Sequence, residues 1–145
     1  MGKGPVIKGL LSGLTPGEKL YLAMHPHHFT TIRDHKDTAV AETVRLFARN
    51  GLHNGKGDAF RHCYWSALLA RDLGADNARS FTTAHENYSG NPPKERAMDL
   101  HNNGVGIGIG SSNKSATDTE LSVKCRAALN AGTLMTATPK SGKPY

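Results

Sequence analysis

The chain has 145 residues, which fits one domain with a core that needs no metal or disulfide staple, and its 37% apolar and 21% charged content is that of a globular protein. No apolar run approaches the roughly 20 residues of a membrane span and no signal-peptide pattern opens the sequence, so a soluble domain without its own export address is expected. Eighteen Lys and Arg against twelve Asp and Glu give a net charge of +6, which points to an anionic partner: nucleic acid, phospholipid headgroups or an acidic protein.

Helix signals follow one another along the chain. Thr15, Pro16 and Glu18 form a helix start with a capping box, and His25-Pro26 ends that short helix. From His27 to Arg49 apolar residues recur at Phe29, Ile32, Ala39, Val40, Val44 and Phe47, a period near 3.6 that predicts a long amphipathic helix closed by Asn50-Gly51. After the glycine-rich linker Leu52 to Gly57, Asp58 is the expected cap of a central third helix running through Leu73, with Gly74 ending it. Asp76 caps a fourth through Tyr88, stopped by Gly90 and Pro92-Pro93, and a fifth spans Lys94 to Asn103. Thr117 and Glu120 give a second capping box for a sixth helix reaching Asn130.

The run G-V-G-I-G-I-G from Gly104 to Gly110 reads as an extended segment or loop, because glycine weakens regular structure and permits close backbone approach. The expected fold is all-α, a compact bundle of about five or six helices with this glycine-rich loop near the site. It forms a single domain over 1–145, with the active-site core at 57–110 and a loose basic tail at 133–145. Cys63 and Cys125 are too few for a disulfide framework and match no zinc or redox spacing, so both read as buried small apolar residues.

Polar residues on otherwise apolar helices mark the site. Asp58, Arg61, His62 and Trp65 fall at i, i+3, i+4 and i+7 on one face of the third helix. His85 and Glu86 share a stripe of the fourth helix, and Asp99, Asn102 and Asn103 share one on the fifth. Singly, each has a structural explanation: Asp58 as a cap, Arg61 with Asp99 as an ion pair, an imidazole bonded to a carbonyl, asparagines at a helix end. Jointly they exceed what a bundle of this size needs, since an unpartnered buried polar group costs several kcal/mol.

His62, Arg61, His85, Glu86 and Asp99 are therefore the candidate catalytic residues, and Asp58, Trp65, Asn102 and Asn103 the candidate substrate contacts. Carboxylate and imidazole on facing helices also suit a divalent metal such as zinc or magnesium, with His62, His85, Glu86, Asp99 and His101 as candidate ligands. A second group, His25, His27, His28 and His35, is similar to the histidine pairs of HNH nucleases. It straddles a proline-broken loop where that fold needs strands, and a solvated interhelical loop is the expected reading.

With D-A-F-R-H-C-Y-W, then A-H-E-N and M-D-L-H-N-N-G-V-G-I-G, the segment Asp58 to Gly110 resembles a domain found at the C-terminal tips of bacterial polymorphic toxins of the Rhs and contact-dependent inhibition type. Cys63, Ser66 and Ile107 depart from the pattern, which has Ala, Asn and a polar residue there. The resemblance implies a toxin released from a larger carrier and neutralised in the producer by a cognate immunity protein; delivery into a neighbouring bacterial cell is expected, with the target cytoplasm ahead of the periplasm. The expected activity is hydrolysis of phosphodiester bonds, with nucleic acid ahead of lipid as the anionic substrate. In that scheme His62 or His85 is the base, Arg61 stabilises developing charge, and Glu86 with Asp99 orients imidazoles or binds metal. The alternatives are an envelope-directed hydrolase, either a phospholipase or an enzyme of peptidoglycan precursors with P-V-I-K-G-L-L-S-G-L on a membrane surface, and a non-enzymatic binding module.

Overall fold

The computed structural model describes residues 13–47 and 55–136. Among these there are six α-helices and no strand: α1 (Pro16–Met24), α2 (Phe29–Phe47), α3 (Lys56–Leu73), α4 (Ala75–Glu86), α5 (Pro93–Ser111) and α6 (Asp118–Asn130). The all-α bundle expected from the periodicity is what the chain forms. No helix among the described residues is long and apolar enough to cross a membrane.

Local chemistry explains most helix ends. The Thr15 hydroxyl accepts from Glu18 N–H at 3.1 Å while Thr15 N–H donates to Glu18 Oε1 at 2.8 Å, the two halves of a capping box. Thr117 and Glu120 repeat the device at α6. Between α1 and α2, Pro26–His28 forms one 3₁₀ turn, so the second helix begins two residues later than expected. Arg49, Asn50 and the expected membrane-facing N-terminal run lie outside the described residues, apart from the end of that run.

α3 is the axis of the bundle, packed on by α2, α4, α5 and α6. Nearly every residue from Gly57 to Ala70 is buried, and Phe60, Leu68 and Leu69 lie in the core with Phe81 of α4, Ile107 of α5 and Leu121 of α6. Both cysteines are free and buried.

Four expectations need correction. α3 starts at Lys56 with Gly55 at its cap, so Asp58 is not the N-cap; it stands inside the first turn, where its carboxylate turns toward the interior. α4 starts at Ala75, and its cap is Gly74 rather than Asp76; a φ of +90° at Gly74 lets one residue join the two helices.

The third correction concerns the glycine-rich run, which is helix: α5 continues without a break from Pro93 to Ser111. Glycine costs a helix about 1 kcal/mol per residue, but a Cβ on Gly106 would stand 2.1 Å from the Cys63 carbonyl oxygen, and one on Gly110 2.1 Å from that of Ala67. Two glycines one turn apart thus let the α5 backbone lie on the α3 backbone, and that packing overrides the local preference. The fourth concerns the start of the expected loose tail at 133–145: residues 133–136 are described and held, and the rest lies outside the described residues. Leu134 is buried and Met135 is clasped by Asn102, whose side chain accepts from Met135 N–H at 2.8 Å and donates to its carbonyl at 2.9 Å.

Candidate functional site

The polar stripe of α3 meets the polar residues of α4 and α5 beside the helix axis, and His62 is the meeting point. Its Nε2 lies 3.3 Å from Asp58 Oδ1, one turn earlier on α3, and 3.4 Å from Asp99 Oδ1 on α5. Its Nδ1 lies 3.6 Å from Oε2 of Glu86, the last residue of α4. The imidazole and all three carboxylates are buried. Arg61 Nη2 donates to Asp58 Oδ1 at 2.6 Å. Behind Glu86, Asn103 Nδ2 donates to its Oε2 at 3.4 Å, and Ser66 Oγ donates to Asn103 Oδ1 at 3.2 Å.

Charge does not balance here. Three carboxylates surround one imidazole and one guanidinium, and burial of the carboxylates and the ring weakens the screening between them. Burial alone would push the His62 imidazole down, but the Asp58 hydrogen bond and charge, with the charges of Asp99 and Glu86, outweigh it and raise its pKa. Burial drives Asp99 the other way: opposed by His62 and reinforced by the Glu86 and Asp58 charges, its carboxyl is pushed up to about 7. His62 Nδ1 and Asp99 Oδ1 are both buried without a hydrogen-bond partner.

These features fit a cation. Asp58, His62 and Asp99 each offer one ligand atom, all within 4.8 Å of one another. Separations of 3.3 and 3.4 Å from the nitrogen to each carboxylate oxygen are close to the roughly 3.0–3.4 Å between neighbouring ligands on a metal with bonds near 2.1 Å. Glu86 stands behind the ring, where it can accept from Nδ1 and fix the tautomer that leaves Nε2 as a ligand. The buried cluster could therefore hold a metal ion, and three protein ligands leave coordination positions open.

Above the cluster is a cavity of about 70 Å³ lined by Lys36, Ala39, Arg61, His62, Trp65 and His85, with room for several waters or a compact oxyanion. A more apolar cavity of about 80 Å³, with Leu22, Phe29, Ile32 and Phe81 in its wall, shares Lys36, Trp65 and His85 with the first. Trp65 Nε1 donates to the Ile32 carbonyl at 3.4 Å, which fixes the indole between the two.

Not every expected residue belongs. His85 lines the pocket but is held elsewhere, by Glu18 at 2.9 Å, and stands outside the carboxylate cluster. His101 bonds the Thr133 carbonyl at 2.8 Å on the exposed side of α5, so it is no ligand of this cluster. Asn102 is taken up by Met135 and is a clasp rather than a substrate contact. Among the other histidines, His25 and His28 stack with ring centroids 4.9 Å apart beside Tyr21, and His35 pairs with Asp72 at 2.6 Å.

Sequence reasoning missed Glu18 and Lys36. Glu18 was already explained by its capping box, which uses Oε1 and leaves Oε2 for His85. Lys36 carries no signal at all, because only the packing of α2 on α3 brings it over His62.

No solved structure matches the chain. A family described as a domain of unknown function, DUF6973, matches residues 19–133, a span that holds all six helices except the first turn of α1, and the chain belongs to that family.

Proposed function

We propose that this domain is a metal-dependent hydrolase of phosphodiester bonds, with nucleic acid as its substrate. The observation that carries the reading is the excess of buried carboxylate around His62 beneath a small pocket rimmed by cations. Asp58, His62 and Asp99 would hold the ion and Glu86 would orient the ring; one nitrogen and two oxygen donors favour zinc or another first-row divalent ion over magnesium. The ion supplies Lewis acidity and lowers the pKa of water.

The chain's own side chains do the rest. Arg61 sits one-third exposed at the pocket, fixed by Asp58, and Lys36 is exposed beside it; both can donate to a phosphoryl oxygen. His62 has a carboxylate against each nitrogen, which suits a ligand better than a proton acceptor for substrate. The net charge of +6 supplies sequence-independent attraction to a polyanion. The ordered D-A-F-R-H, A-H-E and D-L-H-N-N motifs support a wider setting. In it the domain is the toxic portion of a larger secreted effector, acts in the cytoplasm of a target bacterium and is blocked by an immunity protein.

One observation favours a second reading. The apolar cavity next to the His62 pocket would suit an acyl chain, as an envelope-directed lipid hydrolase requires. A single experiment separates the two: incubate purified protein with DNA, RNA and phospholipid vesicles, with EDTA and after adding back Zn²⁺. Cleavage of nucleic acid that EDTA abolishes, that Zn²⁺ restores, and that Asp58→Asn and Asp99→Asn each lack is expected. Cleavage of vesicles alone transfers the proposal to lipid, and full activity in EDTA removes the metal from it.

A further inference from the structure

We infer that Glu18 and His85 form a second acid–base pair, in which His85 protonates the leaving alcohol of the cleaved ester and Glu18 positions it; this rests on the phosphodiester reading above. The pair lies apart from the carboxylate cluster, yet His85 lines the same cavity as His62 and Arg61.

The ring of His85 is held on two sides. Its Nδ1 meets Glu18 Oε2 at 2.9 Å, and Trp65 packs edge-on against it, centroids 5.2 Å apart at 78°. Glu18 is 3% exposed, and its other oxygen accepts from Thr15 N–H at 2.8 Å, so the capping box of α1 immobilises the carboxylate. Thr15 Oγ1 in turn donates to the carbonyl of Ala84, the residue before His85, at 2.8 Å, which locks the end of α1 onto the end of α4. Burial would raise the Glu18 carboxyl, but the His85 and Thr15 hydrogen bonds more than offset it and keep the group ionised. An ionised carboxylate only accepts, so Nδ1 carries one proton in that bond, and in the imidazolium form a second proton on Nε2 is the one left for substrate.

Two other residues of the pocket, His62 and Arg61, fail as proton donors on chemistry. Both nitrogens of His62 face carboxylates, and a guanidinium does not give up its proton in water. An alkoxide is a poor leaving group, so cleavage of a nucleic-acid ester needs a donor within reach. In the step, water forms a bond to phosphorus and yields a proton to a carboxylate of the cluster. The bond from phosphorus to the departing oxygen breaks with its electron pair on that oxygen, which takes the proton from His85 Nε2. The ring regains a proton from solvent.

The test compares leaving groups. A DNA or RNA oligonucleotide requires a proton for its departing oxygen, whereas bis(p-nitrophenyl) phosphate releases a phenolate that does not. His85→Gln is expected to lower kcat/KM on the oligonucleotide about 100-fold or more, the lower range for general acid catalysis, and on the nitrophenyl ester less than about fivefold. Glu18→Gln keeps the capping box, since glutamine serves at that position, and is expected to show the same asymmetry at about tenfold. Both variants should keep the wild-type rise in Tm on adding Zn²⁺, because neither residue is in the ligand cluster. Equal losses on the two substrates, or no loss on the oligonucleotide, overturn the acid role and leave the phosphodiester reading standing. A wild-type protein inactive on both substrates removes that reading and this inference together.

Discussion

The contact of α5 on α3 makes a prediction with opposite signs at neighbouring glycines. Replacing Gly106 with alanine puts a methyl 2.1 Å from the Cys63 carbonyl oxygen, 2.8 Å from its carbon and 3.0 Å from Cys63 Cα. These are backbone atoms of the central helix and cannot swing aside, so α5 must move by about 1 Å, an overpacking that costs about 1–3 kcal/mol or more. Alanine recovers about 1 kcal/mol of helix propensity, which the clash exceeds. Gly108, two residues on, has nothing within 4 Å of the same methyl, and there the propensity term stands alone.

Gly106→Ala should therefore lower Tm by several degrees, at about 2–4 °C per kcal/mol for a chain of this size, while Gly108→Ala raises it by about 2–4 °C. Scanning calorimetry or circular dichroism melts of both variants decide the matter. Because Asp99 sits on α5 and His62 on α3, Gly106→Ala should also weaken the metal-induced rise in Tm. A Gly106→Ala protein as stable as Gly108→Ala would refute the close helix contact and the alignment of the site that depends on it.

Three further outcomes follow from the side-chain geometry. The Asp99 carboxyl moves from its ordinary 3.8 to about 7 in the folded chain, so the native state holds the extra proton and stability falls as pH rises across that window; His62, whose pKa is also raised, adds a contribution that is lost as pH rises through its folded value. EDTA-treated protein should thus melt at lower temperature at pH 8 than at pH 6, with the difference reduced in Asp99→Asn; an equal or higher Tm at pH 8 in the wild type would contradict the crowding of carboxylates. Adding Zn²⁺ at 100 times its Kd should stabilise the wild type by about 2.7 kcal/mol at pH 8 and leave Asp58→Asn unmoved, readable by thermal shift. Asn102→Ala breaks both part-buried bonds to Met135, at about 0.5–1.5 kcal/mol each, and should lower Tm while keeping kcat, whereas a residue that touched substrate would lose kcat.

Much of this molecule could be read along the chain, and the legible parts share a property: they depend on neighbours within about one helical turn. The capping boxes at Thr15 and Thr117, the apolar stripe of α2 and the stop at Gly74 are local, and so is the shared face of Asp58, Arg61 and His62 on α3. Spacing alone placed these three together; their contacts with one another and with Asp99 and Glu86 offset the cost of burying Asp58 and His62.

Tertiary packing decided what local spacing could not. Gly104 to Gly110 is helical because the gain lies in contact with Cys63 and Ala67, about 40 residues away, which no window of neighbouring residues contains. The same packing chose among chemically equivalent histidines. It faced His62 with carboxylates from three helices, handed His85 to the second oxygen of a capping glutamate 67 residues earlier, and turned His101 outward to Thr133. Sequence determined which side chains each helix presents; only the folded chain determined which of them meet, because charge and hydrogen bonding act through distances that the order of residues does not specify.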